Sequence, residues 1–172
     1  MKEEAKPPRS EVTGISLRLS HPQPRELGEM LRGWGHSVGH EWRAGDPRVT
    51  RKGKTVEGVQ PTSYAYTNLV RRVPDTLSAA LKRIIDELQP IESELQAFTS
   101  DGGRAELFVH WHFNDNSGDT LDWRLLQKLS ESRLDLALDI YPDADWLEGI
   151  VVDTNDETPG TQNGKGRSHA QT

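Results

Sequence analysis

The amino-acid sequence predicts an α+β fold: two strand–helix–strand units joined by a long helical segment, forming a roughly four-stranded, mainly antiparallel or mixed sheet with helices on one face. Three observations carry that prediction. Leu134, Leu136, Leu138 and Ile140 alternate with Asp135, Ala137, Asp139 and Tyr141, the period-two pattern of a strand with one wet, acidic face. Leu107, Val109, Trp111 and Phe113 alternate in the same way with Phe108, His110 and His112. From Thr76 to Gln89, the residues Leu77, Ala80, Leu81, Ile84, Ile85 and Leu88 fall at helical spacing along one face.

Taken in order, the first strand is expected over Val12 to Ser20, where Ile15, Leu17 and Leu19 alternate with Ser16, Arg18 and Ser20. His21-Pro22-Gln23-Pro24 turns the chain into a short helix from Arg25 to Arg32, with Leu27, Met30 and Leu31 inward and Gly33 at its end. Between Gly33 and Pro61 the apolar residues are too scattered for a helical stripe, which leaves a long loop with room only for short strands. Ser63 to Val70 has the aromatic and β-branched content of a strand. Asp75 is the expected cap of the helix that follows, Pro90 interrupts it, and Ile91 to Thr99 resumes it through Ile91, Leu95 and Phe98.

Asp101-Gly102-Gly103 then turns the chain into the histidine-bearing strand. A last helix is read from Leu121, Leu125, Leu126 and Leu129, with Thr120 as its cap and Asp122 near its start. Asp143 to Val152 is expected to form a helical turn and an edge strand. Residues 1–11 and 153–172 read as disordered tails around a single domain over 12–152. Strands with one wet face imply an open sheet covered on one side, ferredoxin-like in outline.

Composition removes several chemistries. The chain has 172 residues and no cysteine, so disulfides, thiolate metal sites and cysteine nucleophiles are excluded. No apolar run is long enough to span a bilayer, and the first residues lack the apolar core of a signal peptide, so a cytoplasmic protein without membrane contact is expected. A formal charge of −6 disfavours general nucleic-acid binding, which needs a basic surface.

Several short motifs resemble the bacterial domain-of-unknown-function family 4279. They are the opening strand Ile15 to Leu19 with Leu27-Gly28 after it, Trp42-Arg43-Ala44-Gly45-Asp46, the long helix near Leu77 to Leu95, and the closing Leu138-Asp139-Ile140-Tyr141. The resemblance spans residues 13–143. It departs at Tyr64-Ala65-Tyr66, where such domains tend to show tryptophan-serine. What it implies is a bacterial, cytoplasmic single domain, with no activity, cofactor or catalytic residue attached.

His110 and His112 stand two apart on one strand face, about 6.5–7 Å along the chain, a spacing that zinc sites use. With Asp135 or Asp139 from a neighbouring strand they would make a three-ligand metal site with an open position. His36 and His40 have the spacing of two ligands on a helix, but Gly35 and Gly39 disfavour one there. The loop from Trp42 to Lys54 carries Arg43, Arg48, Arg51, Lys52 and Lys54 against Asp46, a basic run that would hold phosphate or an acidic partner, with Trp42 for stacking. Asp135 and Asp139 would lie about 13 Å apart along one strand, beyond the roughly 5–9.5 Å of glycosidase acid pairs. Neither a phosphate-binding glycine loop nor a nucleophile elbow occurs.

The expected role is therefore a non-enzymatic module, of inhibitor or immunity type by analogy, that binds a protein partner. Its expected surface is the wet sheet face of Ser16, Arg18, Tyr64, Tyr66, Phe108, His110, His112, Asp135, Asp139 and Tyr141. The alternative is a metal-binding protein or metal-dependent hydrolase using the His110/His112 strand face with a divalent metal.

Overall fold

The computed structural model describes residues 10–50, 52–73, 75–113 and 118–142. In chain order these form β1 (Ser10–His21), α1 (Leu27–Gly33), β2 (His40–Trp42), β3 (Pro47–Val49), β4 (Thr55–Val59), β5 (Ser63–Val70), α2 (Leu77–Leu88), a 3-10 turn (Gln89–Ile91), α3 (Glu92–Ser100), β6 (Arg104–Phe113), α4 (Trp123–Glu131) and β7 (Leu134–Pro142). Ser10 and Glu11 thus open the first strand, although the sequence reading placed them in the tail. The remainder of both expected tails, and the expected turn and edge strand over 143–152, lie outside the described residues. Among the described residues no helix is long and apolar enough to cross a membrane.

The α+β class is as the sequence predicts. The sheet is mixed and five-stranded, in the order β2-β5-β1-β6-β7, and β3 and β4 form a separate two-stranded sheet. Four expected strands make its centre, and β2 is the addition at one edge. β1 is antiparallel to both of its neighbours, whereas β6 and β7 run parallel.

This direction follows from how each pair is connected. His21 lies opposite Ser63, so the chain leaves β1 and re-enters β5 at the same end of the sheet, as in a wide hairpin. β7 restarts opposite Ala105, at the far end, and a parallel pair needs a crossover, which α4 supplies. The two strand–helix–strand units are consequently different in build. The ferredoxin-like outline holds for the layering and not for the connectivity.

One sheet face is the core. Ile15, Leu17, Leu19, Leu107 and Val109 are at most 1% exposed and pack against Leu27, Leu31, Leu81, Ile84, Leu95 and Leu125 from the helices. Burying each such side chain stabilises the fold by roughly 2 kcal/mol. Val12 also reaches this face although it is out of phase with Ile15; the pairing register shifts between Val12 and Gly14, and such a bulge resets the alternation. His21 is buried too. Its Nδ1 accepts from the Gln23 amide at 3.1 Å and its Nε2 donates to the Asp101 carbonyl at 3.1 Å, so the neutral ring is fully bonded.

Helix starts differ from the sequence reading by one or two residues. The Arg25 amide is tied to Ser63 Oγ at 2.9 Å, and α1 begins only at Leu27. Thr76, not Asp75, caps α2 by accepting from the Ala79 amide, while Asp75 takes Arg83. Asp122, not Thr120, caps α4 by accepting from the Leu125 amide at 3.0 Å. It also takes Lys82 at 2.8 Å, and Asp119 takes the Ser78 amide at 2.6 Å, so two carboxylates tie the starts of α2 and α4 together. Leu126, Leu138 and Ile140 are 48%, 43% and 49% exposed, against the expectation that they face the core. β7 is an edge strand, with a neighbouring strand on one side only.

The long loop is ordered around Ser63, which is fully buried. Its Oγ donates to the Gln23 carbonyl at 2.8 Å and accepts from the amides of Arg25 and Ala44. Asp46 closes the turn after β2 by accepting from the Arg43 amide at 3.0 Å, with Gly45 at φ 89°. Trp42-Arg43-Ala44-Gly45-Asp46 is thus a turn motif that locks β2 onto the sheet edge.

Candidate functional site

The opposite face of the sheet carries no helix among the described residues, and the strand register decides what lies beside what. In an antiparallel pair directly opposed residues project to the same side. One row runs His40, Tyr66, Arg18, Glu106 and Asp135 across all five strands; the next runs Trp42, Tyr64, Ser20 and Arg104. Beyond Arg18, Phe108 stands between Ser16 and Ala137, His110 lies beside Gly14 and Asp139, and His112 lies beside Tyr141. The residues that the sequence reading places on the wet side of the strands therefore share this one face.

The β2–β5 side is aromatic. Trp42 stacks on Tyr64 with centroids 4.4 Å apart and planes at 20°, His40 meets Trp42 edge-on at 5.4 Å, and Tyr64 tilts against Tyr66 at 6.3 Å. Gly39 permits this packing, because a Cβ there would come within 2.5 Å of the Tyr66 ring. On the other side of β2, Glu41 pairs with Arg32, and a Cβ on Gly28 would lie 1.6 Å from the Glu41 carboxylate. That gives Leu27-Gly28 its reason. Burial pushes the Tyr64 hydroxyl up from its ordinary pKa, with Arg18 opposing and Tyr66 and Glu106 adding to the rise.

The β6–β7 side is ionic. Arg104 donates to Asp135 at 2.6 Å and pairs with Glu106 at 2.9 Å. Tyr141 donates to Asp139, and that bond, with some desolvation, raises its pKa. His110 Nδ1 is 3.7 Å from Asp139, its ring set edge-on to Phe108 at 4.8 Å, while His112 stacks on Tyr141 at 5.0 Å. The two histidines thus turn to different neighbours. Among the described residues, no three of His, Asp and Glu stand together so as to hold a metal ion.

Arg18 stands on the boundary between the two sides. Its guanidinium carbon is 3.1 Å from the centroid of the Phe108 ring, and its Nε is buried without a hydrogen-bond partner. The Trp42 indole N–H is buried as well and, among the described residues, likewise has no partner.

The fold sets Arg43 apart from Arg48, Lys52 and Lys54, which stay on the β3–β4 hairpin. Arg43 pairs with Glu26 at 2.9 Å, Arg48 lies on β3, and Lys52 and Lys54 lie in or beside the turn from β3 to β4; Arg51 is outside the described residues. Trp42 does not belong to that loop as the sequence reading had it. It is a β2 residue whose ring face is taken by Tyr64. His36 and His40 share no helix: His36 precedes β2 and His40 is on it. Phe108 as the platform under Arg18 depends on the register of β1 against β6, which the sequence pattern alone does not disclose. Glu106 beside Arg104 and His40 beside Trp42 are neighbours two apart on one strand, a signal that period two carries.

These features define a class: an α+β domain whose mixed sheet is covered on one face and, among the described residues, leaves an aromatic and ionic face without a helix over it. The chain belongs to the family described as Domain of unknown function (DUF4279), whose family model matches residues 17–143, from Leu17 on β1 past Tyr141 on β7. No curated protein matches the chain, and no solved structure does.

Proposed function

We propose that this protein is a non-enzymatic binding module that receives a protein partner on the open sheet face, chiefly over β2, β5 and β1. The observation that supports this reading is the gathering of Trp42, Tyr64, Tyr66 and Arg18 on adjacent strands. Tryptophan, tyrosine and arginine are the residue types that most often anchor protein interfaces, because they bring large area and directed hydrogen bonds at low entropic cost. Two of these anchors, Arg18 and Trp42, each hold a buried N–H group with no acceptor among the described residues, a cost that the face carries as it stands.

Site-specific photo-crosslinking tests the reading. A crosslinking residue in place of Tyr66 is expected to give one discrete protein adduct in cells, and the same residue in place of Arg83, exposed on α2, is expected to give none. Adducts from the Arg83 position only, or equally from both, would overturn it.

A further inference from the structure

We infer that Arg18 anchors a carboxylate-binding site at the centre of the open face, and that the partner delivers an aspartate or glutamate side chain to it. This inference rests on the binding-module reading and names the chemistry that the module recognises.

Glu106, the residue directly opposite Arg18 on β6, is taken by Arg104 at 2.9 Å, which also takes Asp135 at 2.6 Å. Asp139 is engaged by the Tyr141 hydroxyl. Glu106, Asp135 and Asp139 thus each have a partner from their own side of the sheet. Arg18 has the Phe108 ring at 3.1 Å and, among the described residues, no hydrogen bond or ion pair.

A guanidinium has five N–H donors and no acceptor. Held over an aromatic ring, it gains a cation–π contact, and its terminal N–H groups have no acceptor among the described residues. Leaving such donors half-buried and unbonded is costly, and an incoming oxygen removes that cost. The geometry favours a carboxylate, which is planar, carries one charge and accepts from the arginine fork through both oxygens. A dianionic phosphate would bring two charges toward Glu106, Asp135 and Asp139 with one arginine to hold them. The neutral aromatic side leaves an approach free of that repulsion, so the acidic side chain is expected to arrive with an aromatic or apolar neighbour laid against Trp42 and Tyr64.

The test is an NMR titration of the full chain with acetyl-Glu-Tyr-amide, acetyl-Gln-Tyr-amide and inorganic phosphate at equal ionic strength. It follows the Arg18 Nε–H and Trp42 indole N–H signals. The glutamate peptide is expected to shift both, at least tenfold more tightly than the glutamine isostere and more tightly than phosphate, and Arg18→Met is expected to abolish the difference between the peptides. Should Arg18→Met fail to fold, the glutamate-against-glutamine comparison in the wild-type protein decides alone.

Equal affinity for the two peptides overturns the inference, as does tighter binding of phosphate. A Trp42 shift with both peptides and a silent Arg18 overturns the anchor and leaves the binding face standing. If neither signal moves with any probe, the anchor is overturned, and crosslinking at Tyr66 decides the module reading separately.

Discussion

The two sides of the open face are built from strands with the same alternation, yet they hold opposite kinds of contact. On the β6–β7 side charges answer one another: Arg104 spans Glu106 and Asp135, and Tyr141 bonds Asp139. Arg104 and Asp135 are 62% and 56% exposed, and ion pairs so placed contribute little, from about zero to 1 kcal/mol. On the β2–β5 side the contacts are ring on ring, with no ion pair among Trp42, Tyr64 and Tyr66. What differs is which side still has something to offer. On the proposed binding-module reading, the paired ionic side would steer and discriminate, whereas the aromatic side and Arg18 would supply the contact area and the unpartnered donors.

The largest expected effect breaks the aromatic side at its root. Trp42→Ala removes the stack on Tyr64 and the side chain that holds the three-residue β2 to the sheet edge. The expected loss is about 2 kcal/mol, less than for a fully buried tryptophan, because the site is only half-buried. Urea denaturation reads the loss, and near-ultraviolet circular dichroism should lose the Trp–Tyr signal. An unchanged spectrum would mean that the stack is not formed in solution. Gly39→Ala is a milder form of the same test. Its Cβ would meet the Tyr66 ring at 2.5 Å, and a packed ring yields less readily than the flexible carboxylate over Gly28. A cost of about 1 kcal/mol is expected for Gly39→Ala, and less for Gly28→Ala; the reverse order would show the aromatic side to be loosely held.

How much of this comparison was legible in the sequence depends on the range of the interaction. Period two assigns Arg18, Tyr64, Tyr66, His110, His112, Asp135, Asp139 and Tyr141 to a wet face, because alternation is a property of each strand alone. It is silent on which strands are neighbours. That Arg18 stands opposite Glu106 and meets Phe108 is a fact of register between β1 and β6. β2 was missed because three residues are too few for a period. The turn that fixes it depends on Ser63, more than twenty residues from Trp42, through bonds to Gln23, Arg25 and Ala44. The caps were missed by one or two residues because Asp75 and Thr76, and Thr120 and Asp122, are all good cap residues. Long-range pairing with Arg83 and Lys82 decides which acid does what.

On the ionic side the expected change is smaller. Arg104→Ala should cost less than about 1 kcal/mol after allowance for solvent screening, and the difference from wild type should shrink further in concentrated salt. Thermal unfolding at low and high salt measures it. A loss above 2 kcal/mol that salt does not reduce would contradict the picture of an exposed, self-paired side.

The finest distinction lies in proton binding, because all three tyrosines of the chain, Tyr64, Tyr66 and Tyr141, lie on this face. Tyr64 is raised first by burial and Tyr141 first by its bond to Asp139. Both hydroxyls hold their protons more tightly in the fold than an ordinary tyrosine does. The stability each contributes is therefore complete below about pH 10 and is lost as pH rises through the raised value. The causes separate under one substitution. Asp139→Ala removes the acceptor, so Tyr141 should fall back toward the ordinary tyrosine value, while Tyr64 stays raised because its desolvation is untouched. NMR of the labelled tyrosine ring carbons through an alkaline titration resolves the residues. A fall in Tyr64 on losing Asp139 would mean that the two sides are electrostatically one, and Tyr141 unmoved would mean that its hydroxyl does not bond Asp139 in solution. The expected pattern, one tyrosine moving and the other not, would show that a single sheet face holds two environments divided along β1, with Arg18 on the dividing line.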